Sequence, residues 1–386
     1  MKLAMKTLAV FALAVVFPCL TFAQYKRTDL VTNSGAAGTV PDSHLVNAWG
    51  LVSTGTSPYW VSDEATGLST LYAISNTNGV KATTLGLVVS VPAVNGGQGT
   101  PTGIVAPETP TGVTAFVISG INPVTGKKAS ANSIFIFATL DGTISGWNPA
   151  VGGITATGAS VANIAPATPP AGATYTGLAI ATHKGQRFLY AADDGPNRRI
   201  DVFDSNFQLV EFDKDAFEDR EIPKNFAPYG IQTITGEDGE QTIWVTYTSL
   251  DNSPGGFVAA FTPGGELRSH HSLHGPLDSP WGVALAPDNF GPMSGALLIS
   301  NNDAIGRINA FDRESGRFLG PLRDEQGKPI EIDNIWAIQF GQGGVAGANG
   351  NTNQLFFTAG TNNYGDGTFG VITFEKKKDK DDDSDR

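Results

Sequence analysis

The sequence predicts an all-β protein, a six-bladed β-propeller whose N-terminal strand closes the last blade. Three observations carry that reading. The first is composition: 386 residues hold 47 Gly and 23 Pro, and only 16% are charged, where an ordinary globular chain has about 7% Gly and about 25% charged residues. Such a chain makes turns readily and lacks the Glu/Lys/Ala mixtures of long helices, which excludes a helical bundle or α-solenoid. The second is a six-fold recurrence, a polar or Pro-containing step, then Gly (Ala once), then an apolar run. The third is that each copy is followed by further short apolar runs, three or four per unit, alternating as half-buried strands do. Antiparallel sheets this small cannot each bury two faces alone, and radial packing around an axis solves the problem.

The elements follow in chain order. Residues 1–23 read as a secretory signal peptide. Lys2 and Lys6 form its charged start, Leu8 to Phe17 its apolar stretch, and Thr21-Phe22-Ala23 its processing site, with cleavage before Gln24. The alternative is a lipoprotein signal acylated at Cys19, but Phe17 and Pro18 stand where small residues belong. Cleavage removes the only Cys and takes the formal charge from −12 to −14. The mature chain is therefore expected to be secreted or periplasmic, without disulfide, thiolate nucleophile or Cys-ligated metal. No later stretch has the ~18 uninterrupted apolar residues of a membrane helix. The acidic balance excludes non-specific phosphate binding, so nucleic acid is not an expected partner. The partner expected instead is an extracellular ligand or protein, met by a monomer.

The propeller domain spans 24–375. Tyr25 to Thr32 reads as an extended strand ahead of the first repeat. The six anchors are Asn47-Ala48-Trp49-Gly50-Leu51, Thr100-Pro101-Thr102-Gly103-Ile104, Thr174-Tyr175-Thr176-Gly177-Leu178, Ala227-Pro228-Tyr229-Gly230-Ile231, Ser279-Pro280-Trp281-Gly282-Val283 and Asn334-Ile335-Trp336-Ala337-Ile338, at intervals of 53, 74, 53, 52 and 55 residues. Second strands are expected at Tyr59–Ser62, Ala115–Ile118, Phe188–Ala191, Ile243–Thr246, Leu297–Ser300 and Leu355–Thr358. Third strands are clearest at Arg199–Asp204 and Arg307–Asp312. The last unit runs out after Phe374 without a fourth strand, so Tyr25–Thr32 is expected to complete it and close the ring, removing a sheet edge. The long second interval carries two extra runs, Ser133–Ala138 and Thr143–Asn148, joined by the hairpin signal Asp141-Gly142. They imply an enlarged second blade; a degenerate seventh blade is the alternative. Residues 376–386 form a charged tail with nothing apolar to bury: a solubilising end, or alternatively divalent-ion binding by Asp381-Asp382-Asp383 or a surface tether.

The anchors, together with LYAADDGPNRRIDVFD at 189–204 and GRINAFD at 306–312, resemble propellers of the NHL-repeat type. FATLDGTISGWNPAV at 137–151, YAADDGPNRRIDVFDSNF at 190–207, PWGVALAPDNFGPMSGALLISN at 280–301 and GRINAFDRESGRFLG at 306–320 resemble an uncharacterised family of secreted bacterial propellers. The resemblance covers residues 25–374. It implies secretion and architecture, and no reaction.

Candidate site residues come from the face where inner strands begin and second strands end. Asp63, Asp193 and Asn301 follow second strands, and Asn47 and Asn334 open inner strands. Hard oxygen donors converging on an axis suit Ca²⁺, with Asp63, Asp193 and Asn301 as metal ligands; lactonase-like propellers build a site in this way. The same residue types also make turns and cap strand ends. Trp49, Tyr229, Trp281 and Trp336 precede the anchor residue, where they would either ring the channel mouth and stack on a ligand or pack between blades. His270, His271 and His274 form the one His cluster, bracketed by Gly264-Gly265 and Gly275-Pro276, which argues for a strand or loop over a zinc-binding helix. No nucleophile elbow, zincin, P-loop or EF-hand motif occurs. The first function class is a non-catalytic binding module. The second is a Ca²⁺-dependent hydrolase, lactonase or lyase acting at the channel mouth.

Overall fold

Six small antiparallel sheets arranged radially make up the computed structural model, which describes residues 25–271, 275–344 and 349–375. The expected signal peptide with Cys19, His274 and the charged tail lie outside those residues. Blade 1 runs outward through Ala48–Val52, Tyr59–Asp63 and Leu68–Ser75 to Lys81–Thr84 and Val88–Ser90. Blade 3 is Tyr175–His183, Gln186–Asp193, Arg199–Phe203 and Leu209–Val210; blade 4 is Phe226–Thr235, Gln241–Ser249, Phe257–Phe261 and Leu267–His271; blade 5 is Pro280–Leu285, Leu297–Asn301, Ile308–Phe311 and Phe318–Pro321. The backbone of His270 and His271 thus lies in an outer strand, not a helix.

Blade 6 joins the two ends of the chain. Ile335–Phe340, Gln354–Ala359 and Thr368–Phe374 are followed outward by Tyr25–Thr32, paired antiparallel from Tyr25 opposite Phe374 to Thr32 opposite Thr368. The closing strand is pinned at its start. Tyr25 is buried against Phe290 and Phe374, and its hydroxyl donates to the Phe290 carbonyl of blade 5 at 2.7 Å.

The anchor glycine has a packing cause. A β-carbon on Gly50, Gly103 or Gly230 would fall far inside contact distance of the next blade's inner-strand backbone, at Thr102, Leu178 and Trp281 respectively; on Gly282 it would sit 2.6 Å from the Trp336 carbonyl. Inner strands approach so closely at the axis that a side chain is excluded there. Farther out the blades diverge, and buried apolar side chains fill the wedges, as Tyr190 and Val202 of blade 3 do with Ile231, Val245 and Phe261 of blade 4.

Blade 2 corrects one expectation. Its strands are Pro101–Val105, Phe135–Thr139, Ile144–Trp147 and Asn163–Ile164. The second strand is therefore Phe135–Thr139 and not the run at Ala115–Ile118, and the surplus residues lie between the first and second strands. They form a separate hairpin, Val117–Ile121 with Lys128–Asn132. Phe116 takes a left-handed φ of 52°, is fully buried against Phe207 of blade 3, and donates its N–H to the Ser205 carbonyl, so the chain leaves the sheet plane there. All of Phe135–Thr139 is buried, whereas Val117–Ile121 is largely open, as an accessory hairpin should be. Downstream, Ala159–Val161 pairs parallel with Val88–Ser90 and ties the rim of blade 2 to blade 1. Two extra strands do not make a seventh blade. No helix among the described residues is long and apolar enough to cross a membrane.

Candidate functional site at the channel mouth

The aromatic side chains before the anchor residues meet one another on the axis. Trp336 stacks on Trp49 with ring centres 3.5 Å apart and planes 16° apart. Trp281 meets Trp336 edge-on at 6.0 Å, and Tyr229 and Tyr364 approach it at 5.8 and 5.9 Å. Trp49, Trp281 and Trp336 are all buried. They form a plug in which aromatic side chains of neighbouring blades pack on one another, and not an open ring. Beneath it, the space lined by Gly50, Gly103, Gly282 and Ala337 has a volume of about 20 Å³, room for about one water.

The plug is hydrogen-bonded in place. The Trp336 indole donates to Asn47 Oδ1 at 2.9 Å, and the Trp281 indole crosses the ring to the Thr176 carbonyl at 3.0 Å. The Trp49 indole N–H is buried without a partner among the described residues.

A hydroxyl latch links successive blades just outside the plug. Ser300 of blade 5 donates to the Trp336 carbonyl of blade 6 at 2.6 Å and accepts the Gly282 N–H of its own blade at 2.8 Å. Thr246 does the same between blades 4 and 5, and Thr358 between blades 6 and 1. In blades 2 and 3 the hydroxyl sits on the inner strand instead. Thr102 donates to the Tyr175 carbonyl at 2.6 Å and Thr176 to the Tyr229 carbonyl at 2.7 Å, and the second strands there carry Ala138 and Ala192. Ser62 of blade 1, at the equivalent position, has no partner among the described residues.

The other predicted site residues are drawn into their own surroundings. Asn47 and Asn334 both have left-handed backbones, φ 46° and 47°, which Asn tolerates well. Asn47 Nδ2 donates to Glu64 at 2.9 Å, and Asn334 Nδ2 to the Gly360 carbonyl at 3.2 Å. Asp193 is fully buried and caps a turn. One of its oxygens accepts the N–H groups of Thr174 and Gly195 at 2.9 and 2.8 Å, the other the Asn197 amide at 2.9 Å. Asn301 donates to the Pro276 carbonyl at 2.8 Å. Asp63 is fully buried, and neither of its oxygens has a hydrogen-bond partner of good geometry. Asp63, Asp193 and Asn301 stand on alternate blades and are not brought together. Among the described residues, no group of three or more His, Cys, Asp or Glu is placed to hold a metal ion.

What does gather above the plug is a polar rim that sequence reasoning missed in part. Asn302 Oδ1 accepts the Tyr364 hydroxyl at 3.0 Å and the Tyr229 hydroxyl at 3.4 Å, while its amide faces the Ile335 carbonyl at 3.4 Å. Burial pushes the Asp194 carboxyl up to about 6; the Asp193 charge adds to this and Arg198 opposes it. Burial pushes Asp303 up as well, with Asp278 pushing the same way. The Asn301-Asn302-Asp303 run was legible as a loop. Tyr364 carried no repeat signature, because its loop between the second and third strands of blade 6 shares no residue pattern with the equivalent loops.

Relatives of the chain are viral, where the sequence resemblance implied bacterial ones. It is 27% identical over 367 residues to an uncharacterised protein of Acanthamoeba polyphaga mimivirus, covering 92% of this chain and 87% of that protein. A second uncharacterised protein of the same virus is 29% identical over 361 residues, covering 90% and 80%. No protein-family model matches. Among solved structures, the periplasmic gluconolactonase of Pseudomonas aeruginosa is 18% identical, with a TM-score of 0.42 over 86% of this chain and 87% of that one. The Dos1 propeller is 13% identical, with a TM-score of 0.37 over 86% and 76%. The chain is thus similar to uncharacterised viral proteins over most of its length, and its six sheets make it a six-bladed β-propeller.

Proposed function

We propose that the chain is a secreted, non-catalytic protein-binding module whose contact surface is the accessory hairpin on blade 2. The observation that carries this reading is where the exposed apolar side chains lie. Val113, Ile121, Val124, Ile134, Ile154 and Ile164 are half of the exposed large apolar side chains among the described residues, and all belong to the blade 2 unit. Two of them are neighbours. A β-carbon on Gly153, next to Ile154, would sit 3.0 Å from Val124. Clustered exposed apolar groups mark interaction sites more often than scattered ones do. The plugged axis supports the same reading, because it leaves the mouth shallow. Export rests on the leader pattern of residues 1–23, a charged start, an apolar stretch and a small-residue processing site.

A photo-crosslinking amino acid at position 121, compared with one at exposed Phe318 on blade 5, tests the surface in the native host. The expected result is a discrete adduct from position 121, lost when Val124→Asp is added, and none from 318. Equal labelling from both positions would overturn it. The second reading, a hydrolase, lactonase or lyase at the mouth, is favoured by the raised Asp194 carboxyl near Tyr229. Turnover of an ester or lactone panel that is lost in Asp194→Asn would establish that reading in place of the first.

A further inference from the structure

Asp63 is a fully buried carboxylate, and its neighbours leave both oxygens unmet. The sheet register explains the surroundings. Val61 pairs with Thr70, Tyr59 with Tyr72 and Asp63 with Leu68, so Asp63, Thr70 and Tyr72 share one face of blade 1. The hydroxyl protons on that face are spent elsewhere. Thr70 donates to the Tyr72 oxygen at 2.9 Å, and Tyr72 donates to Asp42 Oδ2 at 3.0 Å. The other Asp42 oxygen takes the N–H of His44 and faces its Nδ1, each at 3.0 Å. The Thr70 N–H and hydroxyl lie toward Asp63 and favour its charged form, but neither closes a hydrogen bond on it. The nearby charge, Asp42, has the same sign and reinforces burial in pushing the Asp63 carboxyl well above the usual range. A buried charge of this kind needs a counter-charge or a proton.

We propose that Asp63 and Asp42 hold a hard cation inside blade 1, with the oxygens of Thr70 and Tyr72 completing the protein's share of its ligands. Two carboxylates and two hydroxyls, with no nitrogen or sulfur among them, suit Ca²⁺, which accepts irregular all-oxygen sets and fills remaining positions with backbone oxygen or water. The site lies within one blade and owes nothing to the axis. Its position gives it a task. Asp42 follows Val40–Pro41, which pairs with the closing strand, and its N–H donates to the Thr32 carbonyl of that strand at 3.0 Å. A cation shared by Asp42 and Asp63 therefore staples the end of the closing strand to blade 1. The proposal is independent of the binding surface on blade 2.

Chelator-stripped full-length mature protein, titrated with CaCl₂ and separately with MgCl₂, tests it. Ca²⁺ should raise the melting temperature by roughly 5 °C at saturation and bind with a stoichiometry of one. Asp63→Asn should abolish the rise, and should itself melt higher than wild type in chelator because the buried charge is gone. Asp193→Asn, at the turn on blade 3, should keep the full Ca²⁺ response. Tb³⁺ luminescence excited through tyrosine gives a readout on the wild type alone, and Tyr72→Phe should reduce it severalfold. A melting curve unmoved by Ca²⁺, or a rise that survives Asp63→Asn, would overturn the proposal and leave Asp63 a buried protonated acid.

Discussion

Blades 4, 5 and 6 and blades 2 and 3 meet the same demand in opposite ways. Each inner-strand carbonyl facing a neighbouring blade needs a donor, because it is buried where two blades nearly touch. In the first arc the anchor position before the Gly or Ala is aromatic and the donor is Thr246, Ser300 or Thr358 on the second strand. In the second arc the anchor position is Thr102 or Thr176, which supplies the hydroxyl itself, and the second strand has Ala138 or Ala192. The hydroxyl moves between strands, and where it sits on the inner strand the aromatic is absent. The exchange teaches that a single position serves two ends, filling the axis and latching the blades, and that one side chain does not do both. Ser62 in blade 1 is the boundary case. It is next to an aromatic anchor yet unlatched, and that junction is instead tied at its rim by Ala159–Val161.

The largest expected effect separates two anchor glycines, one from each arc. Gly230→Ala drives a methyl into the Trp281 carbonyl, whereas the same methyl on Gly177 would lie 3.2 Å from the Ile231 nitrogen. Gly230→Ala should cost about 3 kcal/mol and Gly177→Ala about 1 kcal/mol or less, read from denaturant midpoints. Equal costs would show that these two junctions do not differ in closeness of approach. Next come the latches. Ser300→Ala leaves the Gly282 N–H and the Trp336 carbonyl buried and unpaired, and Thr176→Val does the same to the Tyr229 carbonyl. Each should cost about 1–2 kcal/mol, and similar values would show that the two latch forms are interchangeable.

The smallest effect is a pH dependence at the rim. The Asp194 carboxyl titrates near 6 in the folded protein, above its ordinary value. Stability from this group is therefore greatest when both states are protonated, at about pH 4 and below, and falls as pH rises toward about 6. Asp194→Asn should stabilise the protein at pH 7 by about 1 kcal/mol, after allowance for partial exposure. The gain should vanish near pH 4 in thermal melts followed across that range.

The ring was legible in the sequence because close approach of inner strands imposes Gly at a fixed step, and Gly50, Gly103, Gly177, Gly230 and Gly282 repeat audibly. The closing strand was legible because blade 6 lacked a fourth strand. The hairpin on blade 2 was misplaced because Ala115–Ile118 and Phe135–Ala138 are equally apolar, and only the left-handed turn at Phe116 tells them apart. The site was less legible for a physical reason. Asp193 and Asn334 sit at repeat-equivalent loop positions, and the backbone's own unpaired groups claim their side chains before any ligand could. The rim residue Tyr364 comes from the loop between the second and third strands of blade 6, whose sequence matches none of the equivalent loops, so no repeat announces it.

The pairing of Tyr25–Thr32 with Thr368–Phe374 also sets an order of events during synthesis. The first ordered strand to leave the ribosome is among the last to find its place, since its partner is made almost a full chain length later. Until then five blades can form while the sixth waits with an open edge, and a chain truncated before Thr368 would keep that edge for good. Contacts so remote in sequence form slowly. The finished ring therefore trades a slow, exposed assembly for an end product in which neither terminus of the ordered domain offers a loose thread to unravel.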